Sequence, residues 1–119
     1  MITGVNHVQV NVPSDGLERA REFYIGFLGM REIPRPTTFA TAGVWLQAGA
    51  FEMHLGVEDG VDRHKTRAHV AYEVADLAAW RAKVTAQGWR ISEQPLIPGY
   101  ARFQFRDPFG NNIELIQKL

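Results

Sequence analysis

Cysteine is absent from the 119 residues. That excludes disulfides, thiolate nucleophiles and Cys-ligated zinc, and it is compatible with the cytoplasmic location expected here. Net charge is missing too, since 13 Lys and Arg stand against 13 Asp and Glu. A balanced chain offers no electrostatic basis for a nucleic acid or an anionic membrane as partner. No apolar run approaches the roughly 20 residues of a membrane span. Met1-Ile2-Thr3-Gly4 also lacks the basic-then-apolar order of a secretory leader. What is present is ordinary for a globular chain: 45% hydrophobic and 22% charged residues. That is enough for one small domain, or for two halves that must pack together.

Hydrophobic periodicity supplies the first positive signal. From His7 to Val12 the chain alternates, with Val8, Val10 and Val12 on one face and His7, Gln9 and Asn11 on the other. Period two predicts a half-buried strand. Pro13 ends it, and Ser14 or Asp15 is expected to cap a helix with Leu17, Ala20, Tyr24, Phe27 and Leu28 on one stripe. Gly29 closes that helix, and extended pieces are expected at 30–33, 44–47 and 51–57.

The second half repeats this order. His69 to Val74 alternates, Asp76 is placed to cap a helix with Leu77, Trp80 and Val84 inward, and Gly88 closes it. Extended pieces recur at 89–92, 102–105 and 112–117, the last after the turn Asp107-Pro108-Phe109-Gly110-Asn111. His7 precedes His69 by 62 residues, Gly29 precedes Gly88 by 59 and His54 precedes Glu114 by 60. A near-constant offset across strand, cap and helix stop predicts a duplicated module. The expected division is 4–57, a charged linker 58–65, and 66–119, within one α+β domain.

Four polar residues stand where strands are expected: His7, His54, His69 and Glu114. Taken singly, each is expected on a solvent face. Taken together, they open the first strand and sit in the last strand of both repeats. Two imidazoles and a carboxylate are a common divalent-metal set, so a metal site and four solvated side chains both stay open. Trp45, Trp80 and Trp89 are expected in the core, His64 exposed in the linker, and Arg102 and Arg106 on a solvated sheet surface.

These residues and their surroundings resemble the vicinal oxygen chelate superfamily of glyoxalases, fosfomycin-resistance transferases, extradiol dioxygenases and bleomycin-resistance proteins. The likeness is carried by Gly4-Val5-Asn6-His7-Val8, by Ala20 to Tyr24 and Phe27-Leu28-Gly29-Met30, by Ala68-His69-Val70-Ala71, and by Asp107 to Leu115. It spans essentially the whole chain. The resemblance implies two tandem βαβββ modules forming a half-open barrel around a metal cleft, in a homodimer. It places the metal ligands on His7, His69 and Glu114. The fourth position, glutamate in glyoxalase I, falls on His54, as a fourth ligand, a general acid–base or a polar wall residue. Glu52, two residues earlier on the same face, competes for that position, with register favouring His54.

The activity implied is that of a divalent-metal-dependent enzyme (Fe, Mn, Ni, Co or Zn, one ion per cleft). It would act on a small oxygen-rich, anionic substrate through bidentate chelation. His54 and Glu114 are the residues expected to move protons. Gln9, Tyr100 and Arg102 are those expected to meet substrate, Tyr100 to Phe103 forming a lip over the cleft. Lyase, isomerase, transferase and dioxygenase outcomes share the chelation step. The glutathione-holding asparagine of glyoxalase I is replaced here by Glu58. The alternative is a ligand- or drug-sequestering protein of the bleomycin-resistance type.

Overall fold

The computed structural model describes residues 1–119 and divides into two units, Met1–Val61 and Asp62–Leu119. In unit 1, β1 (His7–Val12) leads into α1 (Leu17–Arg21), a π-helical turn (Glu22–Phe27), β2 (Arg31–Ile33), β3 (Val44–Ala48) and β4 (Phe51–Val57). The sheet order is β1-β4-β3-β2, with β1 parallel to β4 and the remaining pairs antiparallel. Unit 2 opens on a single 3₁₀ turn (Arg63–Lys65). It continues with β5 (His69–Glu73), α2 (Leu77–Ala86), β6 (Ser92–Glu93), β7 (Tyr100–Arg106) and β8 (Asn112–Lys118). Its order, β5-β8-β7-β6, has the same parallel pair at one edge. Each unit is therefore a βαβββ module with an open four-stranded sheet, the α+β fold that the repeat predicts.

Strand alternation sorts the side chains. In unit 1 Val12, Val44, Leu46, Met53 and Leu55 are buried, as are Ala20, Phe23 and Tyr24 of the helical segment. In unit 2 Tyr72, Phe103, Phe105, Ile113 and Leu115 are buried, with Leu77 and Val84 of α2. Each large side chain so buried contributes about 1.5–3 kcal/mol of transfer free energy. The opposite face of each sheet is left to the polar residues.

The two helices differ from each other and, in the first case, from expectation. Neither Ser14 nor Asp15 caps α1. Its N-cap is Gly16, with no side-chain hydrogen bond. The Gly16 N–H donates to Pro13 O at 2.8 Å, which puts Ser14 and Asp15 at the corner of a turn. The Ser14 N–H donates to Asp59 Oδ1 instead. The π-helical turn then widens the spiral, so Phe23 and Tyr24 enter the core while Phe27 and Leu28 stay half-buried. In α2 the expected cap is present, Asp76 Oδ1 accepting the Ala79 N–H at 3.0 Å. Gly29 and Gly88 both end their helical segments at positive φ, +80° and +77°.

Three further expectations are corrected. The extended piece at 89–92 shrinks to Ser92–Glu93, because the Trp89 N–H still bonds Val84 O and its ring stacks on Phe105. Tyr100 to Phe103 are no lip. They begin β7, which pairs with β8 from Tyr100↔Lys118 to Arg106↔Asn112, and Phe103 is fully buried. Arg106 is not solvated sheet surface either. Its guanidinium donates to Arg63 O, Gly110 O and Thr66 O, clamping the 3₁₀ turn to the end of β7. Next to this clamp the Asp107 turn forms as predicted. Asp107 Oδ1 accepts the Phe109 and Asn111 N–H groups. Gly110 adopts φ +102°, and its missing Cβ leaves room for the His64 ring, which remains largely exposed. Burial, with a smaller contribution from the Asp107 charge, pushes the Tyr72 hydroxyl well above the ordinary phenol range.

Candidate functional site

Parity in unit 1 lines up His7, Gln9 and Asn11 of β1 with Glu52, His54 and Gly56 of β4 and with Trp45 of β3. In register, Gln9 pairs with His54, which pairs with Trp45. His54 is buried, at 6% exposure, and its ring is held between two others. Trp45 stacks on it at 4.0 Å between centroids and 4° between planes, and His7 at 4.1 Å and 17°. Three rings thus cross three strands. His54 Nε2 lies 3.0 Å from Glu52 Oε1, two residues away on the same face. His7 Nδ1 lies 2.8 Å from Asn6 Oδ1. Trp45 is therefore not the core residue expected. With Val44 and Leu46 pointing inward, strand parity turns it onto the polar face.

These residues line a cavity of about 490 Å³ that lies wholly within unit 1. Gln9, expected to meet substrate, is in its wall, and its amide donates to Asn11 Oδ1. Both amides lie over Gly56, where a Cβ would come 2.5 Å from each and would push them aside. Arg35 and Phe39, from the β2–β3 loop, complete the wall. Neither carries a sequence signal, because the loop has no periodicity.

Unit 2 gathers a different set at equivalent positions. Glu114 is 4% exposed and pairs in register with Ala71 and Gln104. Its Oε1 accepts Arg102 Nη1 at 2.8 Å and Gln104 Nε2 at 2.9 Å, and lies 3.6 Å from His69 Nε2. Gln104 is itself oriented by Asn112 Nδ2, which donates to its Oε1 at 2.8 Å. Arg102, expected on a solvated surface or against a substrate anion, is committed instead. Besides Glu114 it donates from Nε and Nη2 to Pro95 O. Tyr100 shares the face of Arg102 by parity. His69 Nδ1 lies 3.0 Å from Arg67 O, a carbonyl that can only accept, so this nitrogen is the donor.

The predicted residues are therefore brought together in two sets: His7, Gln9 and His54 in unit 1, and His69, Arg102 and Glu114 in unit 2. The structure gathers no group of three His, Cys, Asp or Glu side chains able to hold a metal ion. No helix is long and apolar enough to cross a membrane.

The donor chemistry suits a divalent ion. Each first-strand histidine has Nδ1 tied to an oxygen just upstream, which fixes the ring as metal-binding imidazoles commonly are fixed. The hydrogen bonds to Glu114 all fall on Oε1, leaving Oε2 for another partner.

Comparison with known proteins matches residues 4–115 to the family model described as Glyoxalase/Bleomycin resistance protein/Dioxygenase superfamily. Among solved structures, a glyoxalase family protein from Bacillus anthracis is 37% identical. That alignment has a TM-score of 0.89 and covers 100% of this chain and 98% of that one. The genomically encoded fosfomycin resistance protein FosX from Listeria monocytogenes, solved with Mn(II) and a sulfate ion, is 18% identical. Its TM-score is 0.81, over 100% of this chain and 93% of that one. An integron cassette protein from the mobile metagenome of V. cholerae is 22% identical, with TM-score 0.74, over 98% and 96%. The last two likenesses are of fold alone. No curated protein matches the sequence. The tandem βαβββ modules and a family match over nearly the whole length lead to one assignment: the chain belongs to the glyoxalase/bleomycin resistance protein/dioxygenase superfamily, the vicinal oxygen chelate proteins.

Proposed function

We propose that the protein is a divalent-metal-dependent enzyme acting on a small, oxygen-rich substrate that chelates the ion through two oxygens. His7, His69 and Glu114 would hold the metal. The observation that carries this reading is the common anchoring of the two first-strand histidines, each with Nδ1 bonded just upstream. The open Oε2 of Glu114 and the Mn(II) in the Listeria FosX structure support it. When bound, the ion supplies Lewis acidity to a coordinated substrate oxygen.

The chain's own residues do the rest. Arg102 and Gln104 hold the Glu114 carboxylate in one orientation. His54 and Glu52, in hydrogen-bond contact at 3.0 Å, form a pair able to move a proton at His54 Nε2. A ligand role for His54 would require Nε2 to leave Glu52. A homodimer is part of this proposal. Light scattering tests the dimer, and a monomeric mass at micromolar concentration would reject it.

A second reading, a binding protein that sequesters its ligand, is favoured by the aromatic cavity of unit 1. Metal content separates the two. Protein purified without added metal or chelator is expected to carry about one divalent ion per site. His69→Ala should lose it while staying folded, since a half-exposed strand residue contributes little packing. Unchanged stoichiometry by elemental analysis in that variant would sink the metal reading.

A further inference from the structure

We propose that the cavity of unit 1 is a subsite for a planar aromatic ligand carrying one anionic group, with Arg35 holding the anion. The proposal deepens the function given above, since His7 lines the same cavity. Its volume, about 490 Å³, falls within the usual range for small-molecule sites. Arg35 is the only Lys or Arg in its wall. The one carboxylate there, Glu52, already meets the His54 ring nitrogen at 3.0 Å.

The guanidinium of Arg35 sits in a made place. Its Nη2 donates to Thr41 O at 2.9 Å, and its centre lies 4.5 Å from the centroid of the Phe39 ring. Gly43 makes room for it: a Cβ there would stand 3.0 Å from both Nε and Nη2. An arginine fixed in advance loses little rotamer entropy on binding, and its remaining N–H groups suffice for a two-point grip on a carboxylate or phosphonate.

The apolar half of the ligand follows from Phe39 and Trp45. Phe39 stands edge-on to Trp45, with centroids 5.8 Å apart, yet leaves 49% of its surface exposed. Exposed aromatic surface in a concave wall is the surface a ligand ring covers. A small aliphatic anion would leave most of it wet.

Isothermal titration of the full chain tests this with phenylphosphonate and benzoate, against neutral benzamide and the aliphatic methylphosphonate. Each is run on metal-loaded and chelator-treated protein. The aryl anions are expected to bind about tenfold or more tightly than benzamide. Arg35→Gln should erase that preference and leave benzamide within about twofold. Arg35→Lys, which keeps the charge and guards against a folding defect, should retain an intermediate preference. Phe39→Leu should weaken every aryl probe by about fivefold. Aryl anions that bind no better than benzamide, or a preference that survives Arg35→Gln, would overturn the proposal. Metal-free protein that keeps the Arg35-dependent preference supports it even if the metal reading fails. Metal-loaded protein whose aryl binding ignores Arg35 rejects it and leaves the metal reading intact.

Discussion

The two modules place their last-strand residues in the same register and hold them by different forces. His54 lies between Gln9 and Trp45 in the sheet of unit 1, as Glu114 lies between Ala71 and Gln104 in that of unit 2. Where unit 1 has tryptophan beside the central residue, unit 2 has glutamine. The imidazole of His54 is accordingly fixed by ring stacking on both faces, with one hydrogen bond at its edge. The carboxylate of Glu114 is fixed by two donors on a single oxygen, one of them a cation. A duplicated scaffold has thus kept the position and changed the means of holding it. One side builds an aromatic wall, the other a charged, hydrogen-bonded cluster.

Apolar replacements of similar shape should expose that difference. Glu114→Met keeps the volume but leaves the Arg102 guanidinium, 15% exposed, beside a thioether, together with an unpaired Gln104 amide. Removing one partner of a buried ion pair leaves an uncompensated charge, and a loss of about 3 kcal/mol is expected in urea unfolding. Metal binding should disappear as well. A loss under about 1 kcal/mol would mean that Arg102 relaxes to solvent and that the pair is not structural.

The corresponding change in unit 1 should be mild. His54→Phe retains a ring between His7 and Trp45, and the half-exposed Glu52 regains water in place of its histidine. Stability within about 1 kcal/mol of the parent is expected. His54→Ala empties the slot between two rings and should cost about 2 kcal/mol. Both variants should keep the metal but bind it more weakly if His54 serves the site. Equal stability of the two would show that stacking does not hold the residue. Parental metal affinity in both would remove His54 from the site.

Much of this was legible from period and offset. Strict alternation in β1 and β5 puts His7 and His69 on polar faces, and the 60-residue spacing of His54 and Glu114 marks them as equivalent positions of the two repeats. The Asp76 cap and the glycine stops were readable because each depends on one local hydrogen bond or one φ angle. What escaped depends on partners distant in sequence. Arg102 resembles a free anion-binding arginine until Glu114 and Pro95 are folded beside it. Arg106 reads as surface until three carbonyls surround it. Arg35 and Phe39 sit in a Pro- and Thr-containing loop whose conformation no periodicity dictates.

The helices carry the same contrast at smaller scale. Pro13-Ser14-Asp15 and Ala75-Asp76 both present a capping residue after the first strand, yet only Asp76 is used. In unit 1 the turn closed by the Gly16 N–H moves Ser14 and Asp15 off the helix axis, and the chain begins its spiral one residue later on glycine. Asp76→Ala should therefore destabilise the protein by about 1 kcal/mol. Asp15→Ala should stay within about 0.5 kcal/mol, the range of an ordinary surface substitution. Ser14 contributes through its backbone N–H, bonded to Asp59 Oδ1 at 2.9 Å, so Ser14→Ala should be equally silent. Asp59→Ala, which removes that acceptor, should cost more than either. Thermal melts of the four variants order them. A loss at Asp15 equal to that at Asp76 would mean that α1 is capped in solution by its own acid, and the two helices would then start alike.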